Sequence, residues 1–302
     1  MRKLVVTVGD PAGVGPEIIL AWARENLCEA ANVEIVCHEF FAELLPEAFS
    51  VKVLKSADNF KAGVPTTDGA TLALDALDFA AQCCKGGDYS GVVTAPVSKA
   101  QMSEVSPNFV GQTEFFENAW GGKAVMCFAG LRMILSLATW HIPLKEVSNS
   151  LNDENISRAV LAADVLAKKI RKIDAPRLAL CGLNPHAGED GLLGDEEIRL
   201  INPLAGKLQK NFPNLSRALP PDTVFTRLLN GEFDAAVAMY HDQGLAPLKA
   251  LEFDSAVNVS MLLPYVRTSP DHGTAFNIAG KGIASHKSFA HAVEVAKLLS
   301  AE

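Results

Sequence analysis

Short apolar runs and longer amphipathic segments alternate along the whole chain, and that alternation restricts the possible folds more than any other feature. Runs that read as strands are residues 4–8, 33–37, 91–95, 133–139, 177–181, 235–240 and 257–260. Segments that read as helices are residues 17–26, 69–85, 113–120, 153–170, 196–210, 221–230 and 289–299. Strands separated by helices pair in parallel, because the helix carries the chain back to where the next strand must begin. The pattern predicts an α/β fold, in which ligands bind beyond the carboxyl ends of the strands. The 302 residues are enough for two domains sharing a cleft. No repeat, low-complexity tract or long linker breaks the pattern, so the two domains are expected to be closely connected.

Composition narrows the function classes. With 49% hydrophobic and 21% charged residues the chain is globular in character. The net charge is −8 and no Lys/Arg-rich run is present, which argues against a nucleic-acid partner, since that needs a basic face to displace counterions. An anionic small molecule needs only a few cations that converge locally. The run at residues 4–8 ends at Gly9-Asp10 and is too short for a signal-peptide core or a membrane span. The cysteines (Cys28, Cys37, Cys83, Cys84, Cys127, Cys181) form no C-x-x-C pair, and several lie in apolar stretches. A reduced, cytoplasmic protein without a membrane partner is the expectation.

Three histidines stand just past apolar runs: His141 after Met-Ile-Leu-Ser-Leu-Ala-Thr-Trp, His186 after Leu-Ala-Leu-Cys-Gly-Leu-Asn-Pro, and His241 after Ala-Ala-Val-Ala-Met-Tyr. Each is followed by residues that read as a turn. Strand ends of one parallel sheet face one side, so these imidazoles can converge on a borderline divalent ion and leave positions open for substrate. One such histidine is more often structural; His38 also follows an apolar run and carries no assignment.

Glycine-rich turns mark both ends of the chain. Gly9-Asp10-Pro11-Ala12-Gly13-Val14-Gly15-Pro16-Glu17 follows the first strand, with Pro16 at a favoured helix start. Backbone N–H groups in such a turn can approach a ligand, although the spacing is not that of a dinucleotide fingerprint. Near the end, residues 271–282 combine glycines with His272 and Asn277, which suits a planar heterocycle and equally suits a plain surface loop. Lys249, Asn258 and Arg267 follow His241 and form a possible anion-binding set, while Gln112-Thr113 precedes a helix and can donate to an oxyanion or simply cap it.

Taken in order, Gly-Asp-Pro-Ala-Gly-Val-Gly-Pro-Glu, Thr-Ala-Pro-Val-Ser-Lys, Gly-Gln-Thr-Glu-Phe-Phe, His-Ile-Pro-Leu, Leu-Asn-Pro-His-Ala-Gly-Glu, Tyr-His-Asp-Gln-Gly and Arg-Thr-Ser-Pro-Asp-His-Gly-Thr-Ala closely resemble the 4-hydroxythreonine-4-phosphate dehydrogenase family. The two ends also look like those of the β-decarboxylating isocitrate and isopropylmalate dehydrogenases. The resemblance implies two α/β/α domains around a cleft, residues 1–125 with 250–302 forming one and residues 126–249 the other. It implies a homodimer whose active site is shared across the interface. His141, His186 and His241 would ligate one divalent ion (Zn, Mg, Mn or Co), with His241 expected from the neighbouring subunit. Gln112, Thr113, Lys249, Asn258 and Arg267 would hold the phosphorylated substrate. His272, Gly273 and Asn277 would meet the adenosine half of NAD or NADP.

This chain has Gln112 where the family commonly has His, which removes a possible positive charge while leaving an amide donor. It has Asn277 where the related enzymes usually have Asp, which leaves NAD against NADP open. The implied chemistry is oxidation of 4-(phosphooxy)-L-threonine to 2-amino-3-oxo-4-(phosphooxy)butanoate, which decarboxylates to 3-amino-2-oxopropyl phosphate. The metal would act as Lewis acid, and Asp242 and Lys99 are the candidates for the base, with Asp242 alternatively orienting an imidazole. Rival readings are a sibling dehydrogenase of a phosphorylated sugar acid such as threonate 4-phosphate, a metal-dependent aldolase or hydrolase, and a non-catalytic binder of phosphorylated ligands.

Overall fold

A computed structural model describes residues 2–55 and 60–301, and the chain divides into two compact units, residues 1–124 with 257–302 and residues 125–256. The first unit opens with β1 (Lys3–Thr7), α1 (Gly15–Glu25), β2 (Val33–His38), the one-turn α2 (Glu39–Ala42), β3 (Ser50–Leu54), α3 (Thr67–Gly86), β4 (Tyr89–Thr94), α4 (Lys99–Val105) and α5 (Gln112–Trp120). The second unit contains β5 (Val125–Ala129), β6 (Ile134–Leu137), α6 (Val147–Ser150), α7 (Asp153–Arg171), β7 (Leu178–Cys181), α8 (Asn202–Leu208), β8 (Leu215–Leu219), α9 (Pro221–Leu229), β9 (Ala235–Ala238) and α10 (His241–Glu252). The chain then returns to the first unit for β10 (Val257–Met261), β11 (Val266–Pro270) and α11 (Lys287–Ser300).

Local chemistry explains the main elements. In α3 the Thr66 hydroxyl accepts from Gly69 N at 3.0 Å, Gly87 ends the helix at φ 83°, and Ala70, Ala73, Leu77, Ala80 and Cys84 make one buried stripe. In α7 a capping box joins Asn152 and Asn155, and Ile156, Ala159, Val160, Ala163, Leu166 and Ala167 face the core. Strands β6, β7 and β9 are buried at every residue, so they read as unbroken apolar runs rather than alternating ones.

The strand order in the first unit is β3-β2-β1-β4-β11-β10, parallel except for β10. In the second unit it is β5-β6-β9-β7-β8, parallel except for β5. Around β6, β9 and β7 the fully buried Phe128, Met133, Leu135 and Leu248 form the second unit's core, each contributing about 1.5–3 kcal/mol by burial.

The structure is the α/β fold the alternation predicts, with several differences in detail. Strands β3, β5, β8 and β11 escape the sequence reading. The sequences of β3, β8 and β11 mix in Lys, Ser, Arg or Thr, and β3 and β8 lie at sheet edges where polar side chains are tolerated. The segment after His241 is not a turn but α10, which the internal Gly244 and Pro247 disguise. That helix carries the second unit on to residue 256, beyond the boundary expected near residue 249. The helix expected over residues 196–210 is continuous through residue 208, with a π-turn at Glu197–Ile201 leading into α8. No helix among the described residues is long and apolar enough to cross a membrane.

Candidate active site

Strands β2 and β3 lie on one side of β1, and β4 lies on the other, so the order reverses between β1 and β4. Open α/β sheets bind ligands at such a point, beyond the carboxyl ends of the strands. Thr94 is the last residue of β4, and beside it on β11 stands Arg267, only 4% exposed. Its guanidinium donates to Asn258 Oδ1 (2.9 Å), Thr94 Oγ1 (2.9 Å), Ser260 Oγ (3.3 Å) and Thr113 Oγ1 (3.5 Å), while its Nε is buried without a partner. Burial pulls its pKa down to about 10. Its hydrogen-bond partners are all neutral, the Glu114 carboxylate opposes the shift without outweighing burial, and an anion would repair the remaining deficit.

Thr113 lies in the first turn of α5 and pairs with Ser260 at 3.0 Å. Gln112 Nε2 donates to the Ala95 carbonyl at 3.1 Å, and its Oε1 is buried without a partner. One N–H of the Gln112 amide is thus committed to backbone, which leaves its second N–H and its oxygen for other partners. Lys99, exposed at the start of α4, lies beside the turn that leads into α5, its Nζ 3.7 Å from the place a Cβ on Gly111 would take.

The two glycine-rich turns meet within this unit. Val14 N donates to Thr274 O at 2.9 Å, and Gly280 N donates to Glu17 Oε2 at 2.7 Å. Glycine is required at Gly15, where a Cβ would stand 2.1 Å from the Val8 carbonyl oxygen, and at Gly9, which has φ +72° and Pro96 O at 2.3 Å. His272 Nδ1 contacts Gly273 O at 3.0 Å, so that nitrogen carries the proton. Its Nε2, buried without a partner, is left as an acceptor. Gly273 and Asn277 are exposed on the same loop. An acceptor beside open backbone suits the amino and hydroxyl donors of an adenosine.

In the second unit β6, β9 and β7 are neighbours, and the three histidines follow their carboxyl ends. His141 and His241 come together, with ring centroids 5.7 Å apart, in a cavity of about 400 Å³ lined also by Thr139, Trp140, Tyr240 and Asp242. Asp242 Oδ1 is 2.7 Å from His241 Nδ1, which leaves Nε2 as the nitrogen for a ligand. His186 is not with them: it lines a separate hollow with Leu183, Pro185, Gln243 and Pro247. Among the described residues no three His, Cys, Asp or Glu side chains are grouped closely enough to hold a metal. The pair that comes together within one chain is His141 with His241, and His186 stands apart from it. Two imidazoles supply two of the three ligands of a three-histidine site. Lys249, also in this unit, is half-buried on α10.

The sequence reading missed the residues that hold this edge in place. Gln243 Nε2 donates to Gly182 O and its Oε1 accepts from Met239 N, both at 2.7 Å, which ties the start of α10 to the end of β7. Residues His186, Ala187, Gly188, Glu189, Asp190 and Gly191 have φ of 52, 52, 84, 44, 52 and 94°, a left-handed turn costing about 1–2 kcal/mol at each non-glycine residue. Glu196 and Glu197 bond to the segment just before it. Their signal, two acidic residues ten and eleven places after His186, is invisible without the fold.

The model of the family described as pyridoxal phosphate biosynthetic protein PdxA matches residues 8–296. A 4-hydroxythreonine-4-phosphate dehydrogenase of Erythrobacter litoralis is 39% identical over 94% of this chain and 92% of its own length. One of Maricaulis maris is 37% identical over 98% and 97%. The crystal structure of a 4-hydroxythreonine-4-phosphate dehydrogenase from Klebsiella pneumoniae superposes with a TM-score of 0.86 and 30% identity, covering both chains completely. The chain belongs to the PdxA family, and it is an oxidoreductase of pyridoxal phosphate biosynthesis.

Proposed function

We propose that this enzyme oxidises 4-(phosphooxy)-L-threonine at the expense of NAD or NADP and in the presence of a divalent metal ion, giving 2-amino-3-oxo-4-(phosphooxy)butanoate, which loses CO₂ to become 3-amino-2-oxopropyl phosphate. The observation that carries the reading is Arg267, buried in charged form with hydroxyl and carboxamide oxygens as hydrogen-bond partners. A phosphate bound there completes the charge balance and the hydrogen bonding together. In this reading Arg267, Thr113 and Asn258 take the phosphate, and Lys249 and Gln112 contact the rest of the substrate. Gln112 offers its free oxygen and its second N–H, so it can meet either a donor or an acceptor on the ligand.

His141, His186 and His241 would hold the metal (Zn, Mg, Mn or Co), one of them supplied by a second copy of the chain, which makes the working unit a homodimer. When bound, the metal supplies Lewis acidity to a substrate hydroxyl. Asp242 orients His241 through Nδ1 and so fixes which nitrogen faces the ligand. Lys99 is left as the candidate to receive the hydroxyl proton. His272, Gly273 and Asn277 would receive the adenosine half of the nicotinamide cofactor, which accepts the hydride. A reduced, cytoplasmic setting accords with six cysteines that are all unpaired.

Turnover and calorimetric binding of 4-hydroxythreonine 4-phosphate, its dephosphorylated form and threonate 4-phosphate test the reading together. Preference for the first supports it. Equal handling of the dephosphorylated compound contradicts the phosphate assignment. Preference for threonate 4-phosphate moves the enzyme to the sibling reaction, which Gln112 in place of His makes the relevant second reading. Metal-dependent cleavage without nicotinamide would turn it into an aldolase or hydrolase.

A further inference from the structure

The turn that carries His186 is left-handed over six residues, and a chain holds such a backbone only where its surroundings dictate it. A buried carboxylate lies against it and holds the two residues that lead into it. Glu197 is 1% exposed, and its Oε1 accepts from two successive backbone amides, Leu183 N at 2.7 Å and Asn184 N at 2.8 Å. Its Oε2 accepts from Asn184 Nδ2 at 3.0 Å. Asn184 in turn donates to Glu196 Oε2 at 2.7 Å, and Glu196 accepts the hydroxyl of Ser148, in the helix that follows the His141 turn. The glycines of the segment make room for this carboxylate: a Cβ at Gly188 would stand 2.8 Å from Oε2, and one at Gly182 3.0 Å from Oε1. Glu197 opens the π-turn, an irregularity that recurs at functional sites.

We propose that Glu197 is a positioning residue: its buried carboxylate sets the backbone of residues 183–184 and thereby the left-handed turn that presents His186. It touches no ligand. It governs the aim of an imidazole through two amides and one carboxamide, all neutral donors that a carboxylate satisfies better than any neutral acceptor. The proposal rests on the reading of His186 as a metal ligand.

The test compares wild-type protein with Glu197→Gln, Glu197→Ala and His186→Ala in three measurements: Co²⁺ titration by calorimetry, thermal unfolding of the metal-free protein, and hydrogen exchange of backbone amides. Glu197→Gln keeps one oxygen for the two backbone amides but sets an NH₂ against that of Asn184, so it remains foldable if Glu197→Ala does not. The expected result for Glu197→Gln is Co²⁺ affinity lowered at least tenfold, an unfolding temperature within a few degrees of wild type, and faster exchange confined to residues 182–191. Wild-type Co²⁺ affinity in Glu197→Gln, alongside lost affinity in His186→Ala, overturns the proposal. Wild-type affinity in His186→Ala overturns the ligand reading instead. In that case exchange decides the clamp: faster exchange at residues 182–191 upholds it, and unchanged exchange there refutes it.

Discussion

Replacing Arg267 with Met removes the buried cation while keeping a side chain of similar reach. In the ligand-free protein burial holds the Arg267 pKa at about 10, roughly 3 kcal/mol against the charged form, a cost present at every pH below about 10. Against that stand two good hydrogen bonds, to Asn258 and Thr94 at 2.9 Å, worth about 1 kcal/mol each, and two longer, weaker ones. The difference predicts that Arg267→Met leaves the free protein unchanged in stability or up to about 2 kcal/mol more stable. Binding should move the other way. Two charge-assisted bonds to a phosphate contribute about 1.5–3 kcal/mol each, so their loss weakens binding of a phosphorylated substrate by roughly 10²- to 10⁴-fold. Denaturant unfolding without ligand and calorimetric titration of substrate read the two effects separately. A variant that loses stability by 2 kcal/mol or more yet binds substrate like wild type would show that Arg267 is a structural cation, and the phosphate assignment would fall.

Other consequences can be checked directly. Removing the cap with Asn152→Ala should cost about 1 kcal/mol, read as a fall of about 2–4 °C in unfolding temperature, because the Asn155 amide at the start of α7 loses its side-chain acceptor. Hydrogen bonds from Ser148 and then Asn184 hold Glu196 at a pKa of about 2, below the ordinary 4.5. Its stabilising contribution is therefore full above about pH 4.5 and lost as pH falls toward 2, and Glu196→Gln should flatten acid unfolding in that window. Cys28 is exposed, whereas burial pushes the thiols of Cys37, Cys84 and Cys181 up to about 12 and raises Cys127 as well. A thiol reagent at pH 8 should label Cys28 within seconds, and these four only on unfolding.

How far the sequence reveals this protein depends on the range of the interaction concerned. Runs such as Leu178–Cys181 and Ala235–Ala238 declare themselves because both faces of an inner parallel strand are covered. Edge strand β3, Ser-Val-Lys-Val-Leu, carries no such mark. The helix after His241 is hidden because Gly244 and Pro247 weaken a local signal that packing against β6 and β9 then overrides. Arg267, Asn258 and Thr113 were legible as possible anion-binding residues, and the fold adds that they share hydrogen bonds. Glu197 was not legible, since its partners become meaningful only when the chain after β7 bends back on it. The separation of His186 from His141 and His241 was likewise beyond the sequence, because the conformation of the turns beyond neighbouring strands, not spacing along the chain, decides which side chains meet.

The most direct test of the account is absorbance at 340 nm with purified protein, 4-hydroxythreonine 4-phosphate, Mg²⁺, Mn²⁺, Zn²⁺ or Co²⁺, and NAD⁺ or NADP⁺ in parallel. The account predicts a rise that needs the metal, disappears with chelator, and falls by at least a hundredfold in Arg267→Met at low substrate. No rise from folded, metal-supplemented protein with either nicotinamide would contradict it.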